Sequence, residues 1–217
     1  MDCSAASAKL INALAPINKL PPEILGLIPT HFENQTPKDL ITVTSVCSYW
    51  RATFLSTPSL WTRLDGRGLE MTQAWVKRSR TLLLQLQVEG SSPNFYALNW
   101  LRLHHSRLEI VDLPDLKGCD LPFFTEGHFL RLLRPSPILR HICIEAEDLD
   151  LDDLDTNMVL GGTFPSLEVL RLTGFPVSLV QFRAPNLCHL LLTGSFGLKE
   201  ILDLLESFPL LERLISG

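Results

Sequence analysis

The chain has 217 residues, 46% of them hydrophobic, enough for one or two domains with a sizeable core. A net charge of −5, with 19 Lys and Arg and no dense basic cluster, speaks against nucleic acid as a partner. Apolar runs such as Leu82–Leu84 and Leu190–Leu192 are too short to cross a bilayer, which speaks against a membrane role.

The chain opens MDCSAASAKLINALAP, in which Asp2 replaces the basic start of a signal peptide and Lys9 and Asn12 interrupt the apolar stretch. The five cysteines are scattered, odd in number and free of any C-x-x-C pair, a usage that fits reduced thiols in a cytosolic or nuclear compartment.

Residues 16 to 64 read as three short helices separated by turns. Leu20-Pro21-Pro22-Glu23 is a helix opening, because proline in a first turn gives up an N–H that has no partner there. Ile24, Leu25, Leu27 and Ile28 follow as an apolar stripe. Thr36-Pro37-Lys38-Asp39 opens a second helix, with Thr36 as cap and Leu40, Val43 and Val46 continuing its apolar face. A third helix, starting near Ser45, presents Val46, Cys47, Trp50 and Phe54 before Pro58 ends it and Leu60-Trp61 follow. Periodicity alone fits a plain helical hairpin core as well as it fits a module with an exposed apolar binding surface.

The elements Leu20-Pro21-Pro22-Glu23-Ile24-Leu25, Asp39-Leu40, Val46-Cys47-Ser48-Tyr49-Trp50-Arg51 and Pro58-Ser59-Leu60-Trp61 together resemble the F-box. They are most similar to the F-box-like proteins abundant in mushroom-forming fungi. The resemblance implies docking on the Skp adaptor subunit of a cullin–RING (SCF) ubiquitin ligase. It also implies a contact surface that includes Leu20, Pro21, Glu23, Ile24, Ile28, Leu40, Val46, Cys47, Trp50 and Trp61. The chain departs from the family at Ile28-Pro29, where Ile-Phe is usual. An interior proline costs a helix about 3 kcal/mol, so the first helix is expected to be short or kinked, with Phe32 in place of the lost aromatic.

Residues 65 to 80 are expected to form a linker helix through Leu69, Met71, Ala74-Trp75 and Arg78. Gly66-Arg67-Gly68 lacks the third glycine and the preceding strand of a phosphate loop.

From residue 81 to 217 the sequence repeats itself. A Leu-x-x-Leu-x-Leu core, with aliphatic substitutes, recurs at Leu83/Leu86/Val88, Leu108/Val111/Leu113, Leu139/Ile142/Ile144, Leu167/Leu170/Leu172 and Leu187/Leu190/Leu192, and a sixth copy starts at Leu211/Leu214. The steps of 25, 31, 28, 20 and 24 residues lie in or near the leucine-rich-repeat range. The last two apolar positions of each copy face one side of a short strand, so stacked copies predict a curved parallel sheet over a continuous apolar core. An ordinary α/β sheet with leucine-rich strands is the alternative. Asn94–Ser106 and Glu126–Leu133 have helical spacing, and the prolines at 165, 185 and 209 are expected to stop a helix before each following strand.

The positions alternating with the buried leucines should line the exposed face of that sheet: Gln85, Gln87, Asp112, His141, Cys143, Arg171, Thr173, His189, Leu191 and Thr193. Among them Asp112, His141, Arg171, His189 and Leu191 are the candidate contacts for a target protein. His141, Cys143 and His189 invite a metal reading, but a whole strand separates the histidines, near 10 Å at about 4.8 Å per strand. Asp148, Asp150 and Asp152 alternate as in a calcium loop, yet Asp153 and Val159 stand where Gly and Glu are needed. No cofactor and no catalytic constellation are indicated, and the chain is read as a non-enzyme.

The fold class is thus α+β or α/β: a three-helix F-box module followed by a short leucine-rich-repeat solenoid. Two functions compete, a ligase substrate receptor and a repeat scaffold whose F-box-like region only caps the first repeat. Trp50, Cys47 and Leu20 exposed would favour docking; buried against the first repeat they would favour capping. The last repeat is expected to be open, leaving Leu202, Leu205, Phe208, Leu210 and Leu214 partly uncovered in a fragment, or in a chain that associates through residues 200–217.

Overall fold

Prolines sit in the first turn of five of the six helical elements between residues 16 and 61 of the computed structural model, which describes residues 7, 11–12, 14–32, 37–88, 94–114, 133–145, 158–173, 177–178, 182–192 and 198–216. The chain divides into two compact units, Met1–Thr62 with Val76–Leu82, and Arg63–Trp75 with Leu83–Gly217. Residues 65–80, read as a linker, are shared between them: the helix Leu69–Arg78 has its first seven residues in the second unit and its last three in the first.

In the first unit a 3-10 turn at Pro16–Lys19 leads to a one-turn helix, Pro22–Leu25, closed by the Gly26 N–H donating to Pro22 C=O at 2.8 Å. The chain then tightens into a second 3-10 turn, Ile28–His31, in which Pro29 is buried. Proline has no N–H to carry an α-helix onward, which accounts for the shortening expected at Ile28-Pro29. Phe32 is half-buried just beyond it. The next helix is Pro37–Thr44; its expected cap, Thr36, lies outside the described residues. The hydroxyls of Thr42, Thr44 and Ser45 donate back to the carbonyls of Lys38, Ile41 and Ile41, an arrangement that competes with the backbone at its end.

The third helix runs Ser48–Leu55, three residues later than the sequence suggested. Cys47, at φ −159° and ψ 173°, is extended and serves as its N-cap, so Val46 and Cys47 belong to the connection rather than to a helix face. A 3-10 turn at Pro58–Trp61 completes the unit. Leu25, Leu40, Val43, Trp50, Phe54, Leu60 and Trp61 form its core. Within it Trp50 meets Phe54 edge-on at 5.5 Å, and the Trp61 indole N–H donates to Phe54 C=O at 2.9 Å under the Arg78 guanidinium, 4.6 Å from the ring.

The second unit holds a seven-stranded parallel sheet whose strands follow one another in chain order: β1 (Arg63–Leu64), β2 (Leu84–Gln87), β3 (Leu108–Leu113), β4 (His141–Glu145), then β7 (Val169–Thr173), β10 (His189–Leu192) and β11 (Arg213–Ser216). Leucine, isoleucine and valine from these strands fill one buried side. Only the first copy departs from the expected register. Leu83 is 42% exposed and Leu84 fully buried, and Leu84 pairs with Leu108 before an irregularity restores the pairing of Gln85 with Ile110. Leu84 and Leu86 alternate without the extra residue of later copies, so the chain enters β2 one residue late.

Besides Leu69–Arg78 between β1 and β2, helices lie between strands at two more described places. Asn94 caps the helix Phe95–Leu101 by accepting from the Ala97 N–H at 3.1 Å, and a 3-10 turn, Arg102–Arg107, carries the chain to β3. The helix Leu198–Ser207 leads to β11. The segment expected as a helix before Leu133 and the acidic run after Glu145 lie outside the described residues.

Among the described residues before Pro165 and Pro185, no helix stands where one was expected. Two-residue strands take their place, β6 (Gly162–Thr163) paired parallel with β9 (Phe182–Arg183), alongside β5 (Met158–Val159) paired with β8 (Val177–Ser178). The 20-residue step between Leu167 and Leu187 leaves little room for a helix beside a strand and two turns, and the described residues of the crossing, Val177–Ser178 and Phe182–Arg183, are extended. Phe164 and Phe208, with Phe182 between them at 5.2 and 5.8 Å, fill the space beside the prolines. Phe208 is therefore buried, against the expectation that it is uncovered, whereas Leu202, Leu205 and Leu210 are exposed and Leu214 half-buried.

Gly162 fixes the tight crossing into β6. Its φ is +102°, and a Cβ there would lie 2.3 Å from Cγ of Pro135. Gly162→Ala should cost about 2–3 kcal/mol through overpacking and backbone strain. A thermal melt should show it as a midpoint lowered by roughly 5–10 °C. Gly68→Ala, with nothing within 4 Å of its Cβ, should leave the midpoint unchanged.

Candidate functional site

Two surfaces collect the residues that the sequence singled out. On the first unit, Pro21, Glu23, Ile24 and Val46 are exposed, and Leu20, Ile28 and Cys47 are half-buried. Ile24 at 49% and Val46 at 55% exposure hold large apolar side chains about half open to water. Leu40, Trp50 and Trp61 are a correction: they lie in the core, and each indole N–H is satisfied internally, Trp50 donating to Asn18 Oδ1 at 2.6 Å and Trp61 to Phe54 C=O. Trp50 is thus not exposed, as docking required; within its own unit it meets Phe54 and donates to Asn18.

The expected contact surface omitted Ile17, Leu27 and Ile41, which are exposed on the same unit. A signal existed for Ile41: Leu40 and Val43 are three apart on the buried stripe of their helix, which turns an apolar neighbour outward. Tyr49 and Asn18 hold the surface from beneath. The Tyr49 hydroxyl donates to Leu20 C=O at 2.8 Å, fixing the chain at the opening of the first motif.

The second surface is the exposed face of the sheet. Register makes two rows across it. One runs Gln87, Asp112, Cys143, Arg171, Leu191, Ile215; the other runs Gln85, Ile110, His141, Val169, His189, Arg213. Val169 separates His141 from His189, the spacing expected. Among the described residues no group of three or more His, Cys, Asp or Glu side chains stands close enough to hold a metal ion.

Arg171, His189 and Leu191 come together, with Arg213 and Ile215, around a cavity of about 150 Å³ between β7, β10 and β11. Asp112 and His141 stand outside it, on β3 and β4. Arg213 and Ile215 alternate with Leu214 in the sixth copy of the repeat, so the same rule that found Arg171 and Leu191 would have found them.

At the edge of this face Arg140 donates to Glu168 at 2.6 Å and lies 3.8 Å from Glu109, while His141 approaches Glu168 at 3.6 Å. The hydrogen bond from Arg140, together with its charge, holds the Glu168 carboxyl below the usual range. That stabilisation is present above the unfolded carboxylate pKa and is lost as pH falls through the folded one. Both side chains face solvent, so the effect is small and screened by salt.

Cys143 behaves differently. Burial first, then the carboxylates of Asp112 and Glu145, push its thiol up to about 12. Alkylation of Cys143 at pH 8 should be about a hundredfold slower than that of a free cysteine, because so little thiolate forms. The rate should keep rising toward pH 12, as mass spectrometry of the labelled peptide would follow; labelling as fast as a free thiol would mean that the thiol is neither buried nor faced by the two carboxylates.

No described helix is long and apolar enough to cross a membrane. Residues 17–67 match the F-box-like family, a span that runs from the first 3-10 turn past β1. No curated protein matches the chain.

Proposed function

We propose that this chain is a substrate receptor of an SCF-type cullin–RING ubiquitin ligase, with the F-box-like domain docked on the Skp adaptor and a target protein bound on the exposed face of the sheet. The observation that carries the reading is an F-box-like domain whose motif residues Pro21, Ile24 and Val46 stand exposed. F-box domains act as adaptor-binding modules, and ubiquitin transfer belongs to other subunits, so the chain itself is read as a non-enzyme. The parallel sheet, with strands in chain order and leucines on one side, supports a degenerate leucine-rich-repeat array as the target-binding part. Such a receptor works in the cytoplasm or nucleus, where the ligase assembles.

A scaffold reading, in which the F-box-like region only caps the repeats, draws on β1: the matched span supplies a two-residue strand that pairs with β2. Capture of the purified Skp adaptor separates the two. Leu20→Ala with Pro21→Ala should weaken capture at least tenfold, since truncating large side chains at an interface centre costs about 2 kcal/mol or more. Full capture by the double variant would favour the cap.

A further inference from the structure

We infer that the cavity between β7, β10 and β11 binds an extended acidic peptide in which two carboxylates flank an apolar residue, in the pattern acidic-x-apolar-x-acidic. The inference rests on the reading of this face as the target surface and names the chemistry it selects.

Arg171 and Arg213 are both exposed, and among the described residues neither makes an ion pair. They occupy opposite corners of the cavity, because Arg171 pairs with Leu191 in one row and Arg213 with His189 in the other. Two strand spacings and a two-residue step put their Cα atoms roughly 12 Å apart. His189 and Leu191 lie between them, with Ile215, 39% exposed, completing an apolar wall. Two cations in a chain of net charge −5 mark a local site for an anion rather than a generally basic surface.

In an extended peptide, residues i, i+2 and i+4 project to one side, and i to i+4 spans about 13 Å. A carboxylate at each end of that span reaches one arginine, where a planar guanidinium can hold it with two parallel hydrogen bonds. The central apolar side chain then rests on Leu191 and Ile215. The spacing thus selects a pair of carboxylates four residues apart over a single charge.

The test uses the full chain and labelled peptides carrying Glu-Ala-Leu-Ala-Glu, Gln-Ala-Leu-Ala-Gln or Glu-Ala-Ser-Ala-Glu, followed by fluorescence anisotropy. The first should bind saturably, the second about tenfold or more weaker for loss of both charge pairs, and the third about threefold or more weaker for loss of apolar contact. Arg171→Gln and Arg213→Gln should each weaken the first peptide about tenfold, with circular dichroism unchanged, while Arg183→Gln on β9 should bind as the unaltered chain does. Absence of binding, equal binding of the glutamine peptide, or unchanged binding by both arginine variants would overturn the inference. Skp-adaptor capture is measured on the same samples. Peptide binding without adaptor capture would sink the ligase reading and leave this site standing; capture without peptide binding would do the reverse.

Discussion

Trp61→Ala should lower the stability of the first unit by about 3–5 kcal/mol and with it remove Skp-adaptor capture, although Trp61 is buried in the free chain. Its ring is 1% exposed, so truncation leaves a large void at the centre of the unit. The same change strands the Phe54 carbonyl that accepts its N–H and removes the face beneath Arg78. Trp61→Phe keeps most of the packing and loses chiefly the hydrogen bond, at a cost of about 1 kcal/mol. Denaturant melts would separate these outcomes. An alanine variant as stable as the unaltered chain would place Trp61 outside the core.

Ile24→Asp with Val46→Asp should do the opposite, leaving the melt unchanged while abolishing adaptor capture. Both side chains are about half exposed in the free chain, so charging them costs the fold little. In an interface each carboxylate would be stripped of water with no partner, a penalty of several kcal/mol per site. Together the pair should weaken capture at least a hundredfold. The contrast between the two experiments separates core from surface: one variant loses capture because the unit melts, the other because the docking face is charged. Capture retained by the aspartate variant would move the docking face elsewhere.

That division was only half legible in the sequence. Motif order and proline placement give the helical module and the short first helix, since proline acts locally on the residues beside it. Which aromatic points inward is a tertiary fact, and Trp50 and Trp61 carry the same motif signature whether buried or exposed. The third helix starts at Ser48 rather than Ser45 because the hydroxyls of Thr44 and Ser45 turn back on the preceding helix, a competition that apolar spacing does not reveal.

In the sheet the leucine spacing transmits the register from β3 onward, because a one-residue slip would expose every leucine of a strand. It fails at Leu83 and Leu84, where three consecutive leucines offer two registers and burial chooses the second. The two-residue strands at Gly162–Thr163 and Phe182–Arg183 are too short to show alternation, so only the 20-residue step hinted that no helix fits. The cavity joins residues from three strands, and its two arginines are 42 positions apart in the chain. Only the pairing of His189 with both Val169 and Arg213 brings them to one site.

Hydrogen exchange of the full chain, alone and mixed with the purified Skp adaptor, tests the central claim most directly. The docking account predicts a stoichiometric complex with protection concentrated at residues 20–28 and 40–47, and none added in β7, β10 and β11. No complex, or protection confined to the sheet strands, would contradict it.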